Sequence, residues 1–263
     1  MRLKTLIALF LFTGFAASAQ QYRTVQHDQF KRGEKLEFRI SFHSLLTGNI
    51  PAATATLLLT NENKQFNGRN TYHAVATGKT SGFIEYFYKV EERFESFFDD
   101  LALIPHVFIR NTRENSYVKN DKVTFRHKDK LAVSNTAVKK VPLNVQDMVS
   151  AFYYSRSFDL AGAKPGKEFD LPFFLDDTVY NSKIKFTGRE KIKTRLGKFN
   201  CIVFKPMVAT GQVFEDPYPV TIWITDDKNR IPVLIETELT VGSARIELKS
   251  YQNLAYPVTA LEK

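Results

Sequence analysis

The chain has 263 residues, a formal net charge of +9, 43% hydrophobic and 13% aromatic residues, and a single cysteine. That length buries a large core as one β-rich domain or as two small ones. One cysteine excludes an internal disulfide, and the basic balance suits anionic headgroups or acidic glycans better than nucleic acid.

The start of the chain reads as a secretory leader. Arg2 and Lys4 are followed by an apolar run, residues 5–15, too short to cross a bilayer as a stable helix. Ala17-Ser18-Ala19 then supplies the small-x-small pattern of a signal peptidase site, which predicts a signal peptide over 1–19 and a mature chain from Gln20. An uncleaved anchor is the rival reading, and the cleavage pattern speaks against it. No cysteine stands at the cut, so a lipid anchor there is not expected.

Strand signals follow. Leu36-Glu37-Phe38-Arg39-Ile40-Ser41-Phe42 alternates apolar with polar, as a half-buried strand does. Residues 52–60 continue the theme, and Asn67-Gly68 signals a tight hairpin turn before a strand at 71–76. Strand cores are predicted at 107–109, 123–126, 184–186, 201–204, 220–225, 233–240 and 244–248. A helical turn at 82–87 is a weak signal. In 144–156 the apolar residues Val145, Met148, Val149, Phe152 and Tyr153 fall at helical spacing. Asn144 is the expected N-cap, with Val145, Met148, Val149 and Phe152 facing the sheet and Gln146 and Ser150 nearer solvent. The stretches on either side of this helix look alike. Asp99-Asp100 then Ile104-Pro105 is matched by Asp226-Asp227 then Ile231-Pro232, and Gly68-Arg69-Asn70 by Gly197-Lys198-Phe199. Two related halves, 30–143 and 157–252, are the expectation, weighed against hairpins simply reusing one turn chemistry.

Chemistry-bearing motifs are scarce. Gly78-Lys79-Thr80 lacks the upstream glycine of a phosphate-binding loop, since position 73 is His73. The five histidines, His27, His43, His73, His106 and His127, are scattered, and Cys201 sits in a strand pattern that favours an inert buried thiol. The pairs Asp99-Asp100, Asp176-Asp177 and Asp226-Asp227 read as turn residues before calcium ligands. No catalytic residue, metal site or cofactor is therefore expected. The aromatic density is more unusual. Phe83, Tyr86, Phe87, Phe94 and Phe98 are the candidate ligand-binding residues of a greasy groove, against the plainer reading as core. The basic run from Lys119 through Lys122, Arg126, Lys128 and Lys130 to Lys139 and Lys140 could hold a headgroup nearby, a solvated hairpin face being the plainer reading.

Several stretches together resemble one family. They are Phe30-Lys31-Arg32-Gly33-Glu34-Lys35-Leu36, Gly78-Lys79-Thr80-Ser81-Gly82-Phe83, Asn144-Val145-Gln146-Asp147-Met148-Val149-Ser150, Thr194-Arg195-Leu196-Gly197-Lys198-Phe199, and Trp223-Ile224-Thr225-Asp226-Asp227-Lys228-Asn229-Arg230-Ile231-Pro232-Val233. The set spans nearly the whole chain after the leader and is similar to the domain of unknown function 3108 family of exported proteins, common in Bacteroidetes and other Gram-negative bacteria. The resemblance implies an antiparallel β-rich fold in the envelope. It carries no functional residue, because the family's role is not established. A likeness to curved-sheet lipoprotein carriers is one of architecture alone.

The expected molecule is one all-β domain over 20–263, a strongly curved antiparallel sheet or open barrel with one main helix. The favoured function is a non-enzymatic exported, periplasmic binder of a lipid or other apolar small molecule. The alternatives are a structural protein with a filled core that meets an envelope protein partner, and an enzyme acting on glycans or lipids. Neither nucleic acid binding nor a transmembrane helix is expected.

Overall fold

The computed structural model of the chain describes residues 22–44, 48–208, 217–238 and 242–262. The expected leader and Gln20 lie outside the described residues. The chain forms β1 (Lys35–Ser44), β2 (Gly48–Leu59), β3 (Lys64–Phe66), β4 (Arg69–Thr80), a short helix α1 (Phe83–Phe87), β5 (Val90–Asp99), β6 (Pro105–Glu114), β7 (Tyr117–Arg126), β8 (Leu131–Val133) and β9 (Val138–Lys140). Helix α2 (Met148–Arg156) follows. The remaining strands are β10 (Glu168–Asp170), β11 (Phe173–Leu175), β12 (Thr178–Tyr180), β13 (Lys183–Thr194), β14 (Gly197–Pro206), β15 (Val220–Thr225), β16 (Pro232–Glu238) and β17 (Ser243–Gln252).

All strands except β11 and β12 join one 15-stranded antiparallel sheet, in the order β10-β13-β14-β15-β16-β17-β1-β2-β4-β5-β6-β7-β8-β9, with β3 paired to β4. The fold is all-β, and the barrel is open. The last strand pairs with the first, from Lys35 opposite Gln252 to His43 opposite Ser243. The free edges are β9 and β10, which flank α2 in the chain. Bulges between Glu37 and Phe38, Ile40 and Ser41, Phe97 and Phe98, Phe186 and Gly188, and Trp223 and Ile224 sharpen the local twist and so curve the sheet. Lys139 and Lys140 lie exposed on the β9 edge, where charge discourages pairing with another chain. The end of the basic run is thus accounted for by edge protection.

The predicted Asn67-Gly68 turn is present. Both residues have positive φ, 52° and 74°, as a two-residue type I′ hairpin requires. The turns after β5 and β15 share their chemistry. Asp99 accepts hydrogen bonds from the backbone N–H groups of Leu101 and Ala102, and Asp227 from those of Asn229 and Arg230. Leu103 and Arg230 both sit at φ 49°, and each turn delivers the chain to a proline that opens the next strand, Pro105 or Pro232. Asp100 N–H donates to the Asn70 carbonyl, and Asp226 N–H to the Asn200 carbonyl.

The main helix starts later than its apolar spacing suggests. Its N-cap is Asp147 and not Asn144, which has φ 58°. Asp147 accepts from Val149 and Ser150 N–H, while Ser150 Oγ accepts from Asp147 N–H, a reciprocal capping box. This rephasing corrects the expected faces. Val145, Val149 and Tyr153 are buried, but Met148 is 43% exposed, whereas Gln146 and Ser150 are buried. Gln146 lies before the helix, where its side-chain amide donates to the Leu103 carbonyl at 3.0 Å.

The main core joins Leu36, Leu59, Phe98, Phe108, Val149, Tyr153, Phe174 and Leu248 inside the curve. A second cluster around Phe186, Ile202 and Phe204 lines the β13–β14 side, and a third, around Phe199 and Val233, is covered from outside by Val258 and Leu261 of the C-terminal segment.

Candidate functional site

Two elements fill the first half of the concavity. Helix α2 packs against β4, β5 and β11. The β11–β12 hairpin buries Phe174 in the core, and its Asp176 bonds Arg110 on β6, at 3.1 Å, and Lys119 on β7. Arg110 and Lys119 share a sheet face with Phe108 and Val123, so this half ends in a bonded polar layer above the apolar core.

In the other half, Phe158, Leu160 and Leu171 pack on Phe186, Ile202, Phe204 and Ile224, and among the described residues the inner faces of β16, β17 and β1 are only partly covered toward the mouth. Strand register aligns Phe186, Phe204, Ile222, Ile235, Ile246 and Ile40 in one row across β13, β14, β15, β16, β17 and β1. Side chains of such a row point to one face of a sheet. Here it is the concave face, since Ile246 packs on the main core and Ile222 on the second cluster. Phe186 and Phe204 are buried, but Ile222, Ile235, Ile246 and Ile40 are only partly covered. The next row toward the strand ends, Val220, Thr237, Ala244 and Phe42, is also half exposed. One row deeper, Phe38 and Leu248 are buried at 8% and 1%. The result is an apolar stripe at the mouth of the barrel, over a buried floor. From Ile222 to Ile40 it crosses four strands, about 14 Å at ~4.8 Å per strand gap.

The floor is held by buried charge. Arg156, at the C-terminal end of α2, bonds both Glu34 carboxylate oxygens at 2.5 and 2.9 Å, the Asn229 carbonyl at 2.7 Å and the Gln29 carbonyl at 3.0 Å. Both charged residues are essentially inaccessible. At the other helix end, burial pushes the Asp147 carboxyl up to about 6, against the stabilising hydrogen bonds from Ser96 Oγ and from Ser150 and Val149 N–H. These contacts tie α2 to β5 and to the β15–β16 turn.

The five aromatic candidates are not brought together. Phe83, Tyr86 and Phe87 lie on α1, exposed by 69%, 88% and 71%. Phe94 and Phe98 point into the barrel from β5, because alternate residues of a strand share a face. Phe98 is core, packed on Tyr72 and Tyr153, and Phe94 is half-buried with the Arg110 guanidinium over its ring. The stripe residues Ile40, Ile222, Ile235 and Ile246 were not singled out from sequence. Their inward alternation was readable, but their alignment depends on register across distant strands.

The other polar candidates are engaged structurally. His73 lies between Glu95, 2.9 Å from Nε2, and Glu62, 2.6 Å from Nδ1. Burial, opposed by a hydrogen bond with the Pro105 carbonyl, pushes His127 down to about 4. His106 lies 3.4 Å from Asp99, whose carboxyl is held well below the usual range by His106, Arg69 and backbone N–H groups despite its burial. Burial pushes the Cys201 thiol up to about 12, which leaves it protonated and inert. Among the described residues no group of His, Cys, Asp or Glu could hold a metal ion, and no helix is long and apolar enough to cross a membrane.

Comparison with known proteins places this geometry in a wider setting. The family model described as a protein of unknown function, DUF3108, matches residues 37–249. A beta-barrel-like protein of the DUF1849 domain from Brucella abortus is similar over 88% of this chain and 99% of its own, with a TM-score of 0.52 and 11% identity. Proteins described as "a putative lipoprotein" from Parabacteroides distasonis (TM-score 0.37, 13% identity, 88% and 100% covered) and "a putative exported protein with YmcC-like fold" from Bacteroides fragilis (0.34, 9%, 89% and 100%) are more distant. No curated protein matches the chain.

Proposed function

We propose a function for a chain that belongs to the DUF3108 family of proteins of unknown function: binding one apolar, acyl-type group on the concave stripe of its open barrel, after export. The observation that carries this reading is the stripe itself. Ile222, Ile235, Ile246 and Ile40 form a continuous apolar row that the described residues cover only in part, beside filled parts of the same concavity. Large side chains on a concave face are ordinarily covered, and their burial by a ligand contributes roughly 25 cal/mol per Å² before ordering costs. Among the described residues no catalytic arrangement accompanies the stripe, and the reading is of binding without chemistry. Export rests on the leader residues Arg2, Lys4 and Ala17-Ser18-Ala19.

The test is native mass spectrometry of protein purified from its own host's envelope fraction. A mass increment that extracts into organic solvent as a lipid supports acyl binding. A clean apo mass, unchanged after incubation with fatty acid, would direct the function to contact with an envelope protein instead.

A further inference from the structure

The rim of the barrel carries a second feature. Strands β1, β4, β6 and β16 all end at the rim where the stripe opens, and β5 starts there, as their antiparallel pairings require. Helix α1 joins β4 to β5 at this rim. It has no buried residue at all. Phe83 and Phe87 pack on each other, with ring centroids 4.8 Å apart, yet both remain mostly exposed. Tyr86 and Tyr88 extend the surface. The β6–β7 hairpin adds Tyr117 and Val118, each 53% exposed. It is fastened to the helix by the Tyr88 hydroxyl donating to Glu114, by Lys89 N–H donating to the Asn115 side-chain Oδ1, and by Asn115 N–H donating to the Lys89 carbonyl.

An aromatic surface made inside a soluble fold is costly to leave in water. Phe with Tyr, ringed by lysine and arginine, matches the layered chemistry of a bilayer interface, where rings sit at headgroup depth and cations meet phosphate. Lys79 and Lys89 flank α1, and Arg113 lies on the hairpin, all three exposed. Apart from Arg110, Lys119, Glu92 and Asp121, which share the inward face, segments 79–93 and 110–122 hold five basic and three acidic residues, a balance that favours an anionic surface.

We propose that the α1 rim, with the β6–β7 tip, docks this protein on the interface of an anionic phospholipid bilayer, placing the mouth of the stripe against the lipid. The orientation rests on the acyl-binding reading above; the docking itself does not. Phe83 and Phe87 enter the headgroup layer, and Lys79, Lys89 and Arg113 meet the phosphates. The stripe then lies at the surface from which an acyl chain would be taken or to which it would be returned.

Two measurements decide it, made on the protein as its host exports it, with vesicles of phosphatidylcholine mixed with phosphatidylglycerol. In the first, Phe87→Trp reports depth. Its added fluorescence should shift to the blue on vesicles and be quenched by bromine-labelled acyl chains, whereas emission unchanged by vesicles would overturn the proposal. In the second, Phe83→Ser with Phe87→Ser should lower vesicle partitioning roughly tenfold or more, since two large rings no longer leave water. Undiminished partitioning would also overturn it. Neither ring is buried, so an unchanged thermal midpoint is expected and serves as the fold control. Fatty-acid binding without vesicles separates the two ideas. It should survive in the double variant, and its absence in every form would remove the acyl reading while leaving the docking result to stand on its own.

Discussion

Truncating Arg156 should be among the most damaging single changes in this molecule. The guanidinium is 2% exposed, bonds both oxygens of a carboxylate that is 0% exposed, and donates to the carbonyls of Asn229 and Gln29. It also lies over the rings of Phe30, Phe152 and Tyr153. Arg156→Leu keeps much of the packing volume but strands Glu34 in a dry site and leaves two carbonyls unpaired. Removing one partner of a buried pair costs about 3–5 kcal/mol, mainly because the other charge remains. Replacing both charges, Glu34→Leu with Arg156→Leu, should be less destabilising than Arg156→Leu alone, since a buried pair is often matched by well-packed apolar groups. Glu34→Gln should fall between, because Arg156 keeps its carbonyl acceptors. Urea denaturation of the four forms, read as midpoint and slope, ranks them. If Arg156→Leu costs less than about 1 kcal/mol, or the double variant is the worse of the two, the pair does not anchor α2 in the way described.

Other expectations concern pH and packing. His127, held down to about 4 against an ordinary value of ~6.5, contributes stability that is present above ~6.5 and lost as pH falls toward about 4. Asp147, raised to about 6, does the opposite, its contribution being full below ~3.9 and lost as pH rises through about 6. The two therefore oppose one another between about pH 4 and 6.5. His127→Gln should make stability rise on acidification across that window, and Asp147→Asn should make it fall more steeply; thermal midpoints taken across the range would show slopes of the same sign if either assignment is wrong. Phe98→Ala should cost about 3–5 kcal/mol in chemical denaturation, and Phe87→Ala under about 0.5, because the first ring is fully buried and the second is exposed. Similar losses would contradict the placement of the five aromatic candidates on two different surfaces.

Local patterns in the sequence carry much of this fold. The alternation around Phe38 and Ile40, the Asn67-Gly68 turn and the Asp-to-Pro turns before Pro105 and Pro232 each report a local preference that tertiary packing retains. Strand β5 was harder to see. Its Phe94, Phe97 and Phe98 look like one aromatic block, although Phe94 and Phe98 face inward, and Phe97 stacks on His73 from the opposite face. The helix starts later than the apolar spacing implies because Val145 fits that spacing while the chain there is still an extended entry, bridged at Gln146 to Phe173. The apolar stripe was not legible at all. Ile40 and Ile246 are some two hundred residues apart, and only the pairing of the first strand with the last makes them neighbours.

The central claim is that the half-exposed row on β15, β16, β17 and β1 binds an acyl group. The most direct test is titration of a fluorescent fatty acid, without vesicles, into the wild-type protein and into Ile235→Glu and Ile246→Glu. Both residues are partly solvent-facing, so each variant should fold, with near-ultraviolet circular dichroism as the check. The account predicts saturable binding to the wild type and its loss in both variants, while Phe87→Ser binds as the wild type does. Saturable binding that survives both glutamates, or a wild-type signal that only rises linearly, would contradict it.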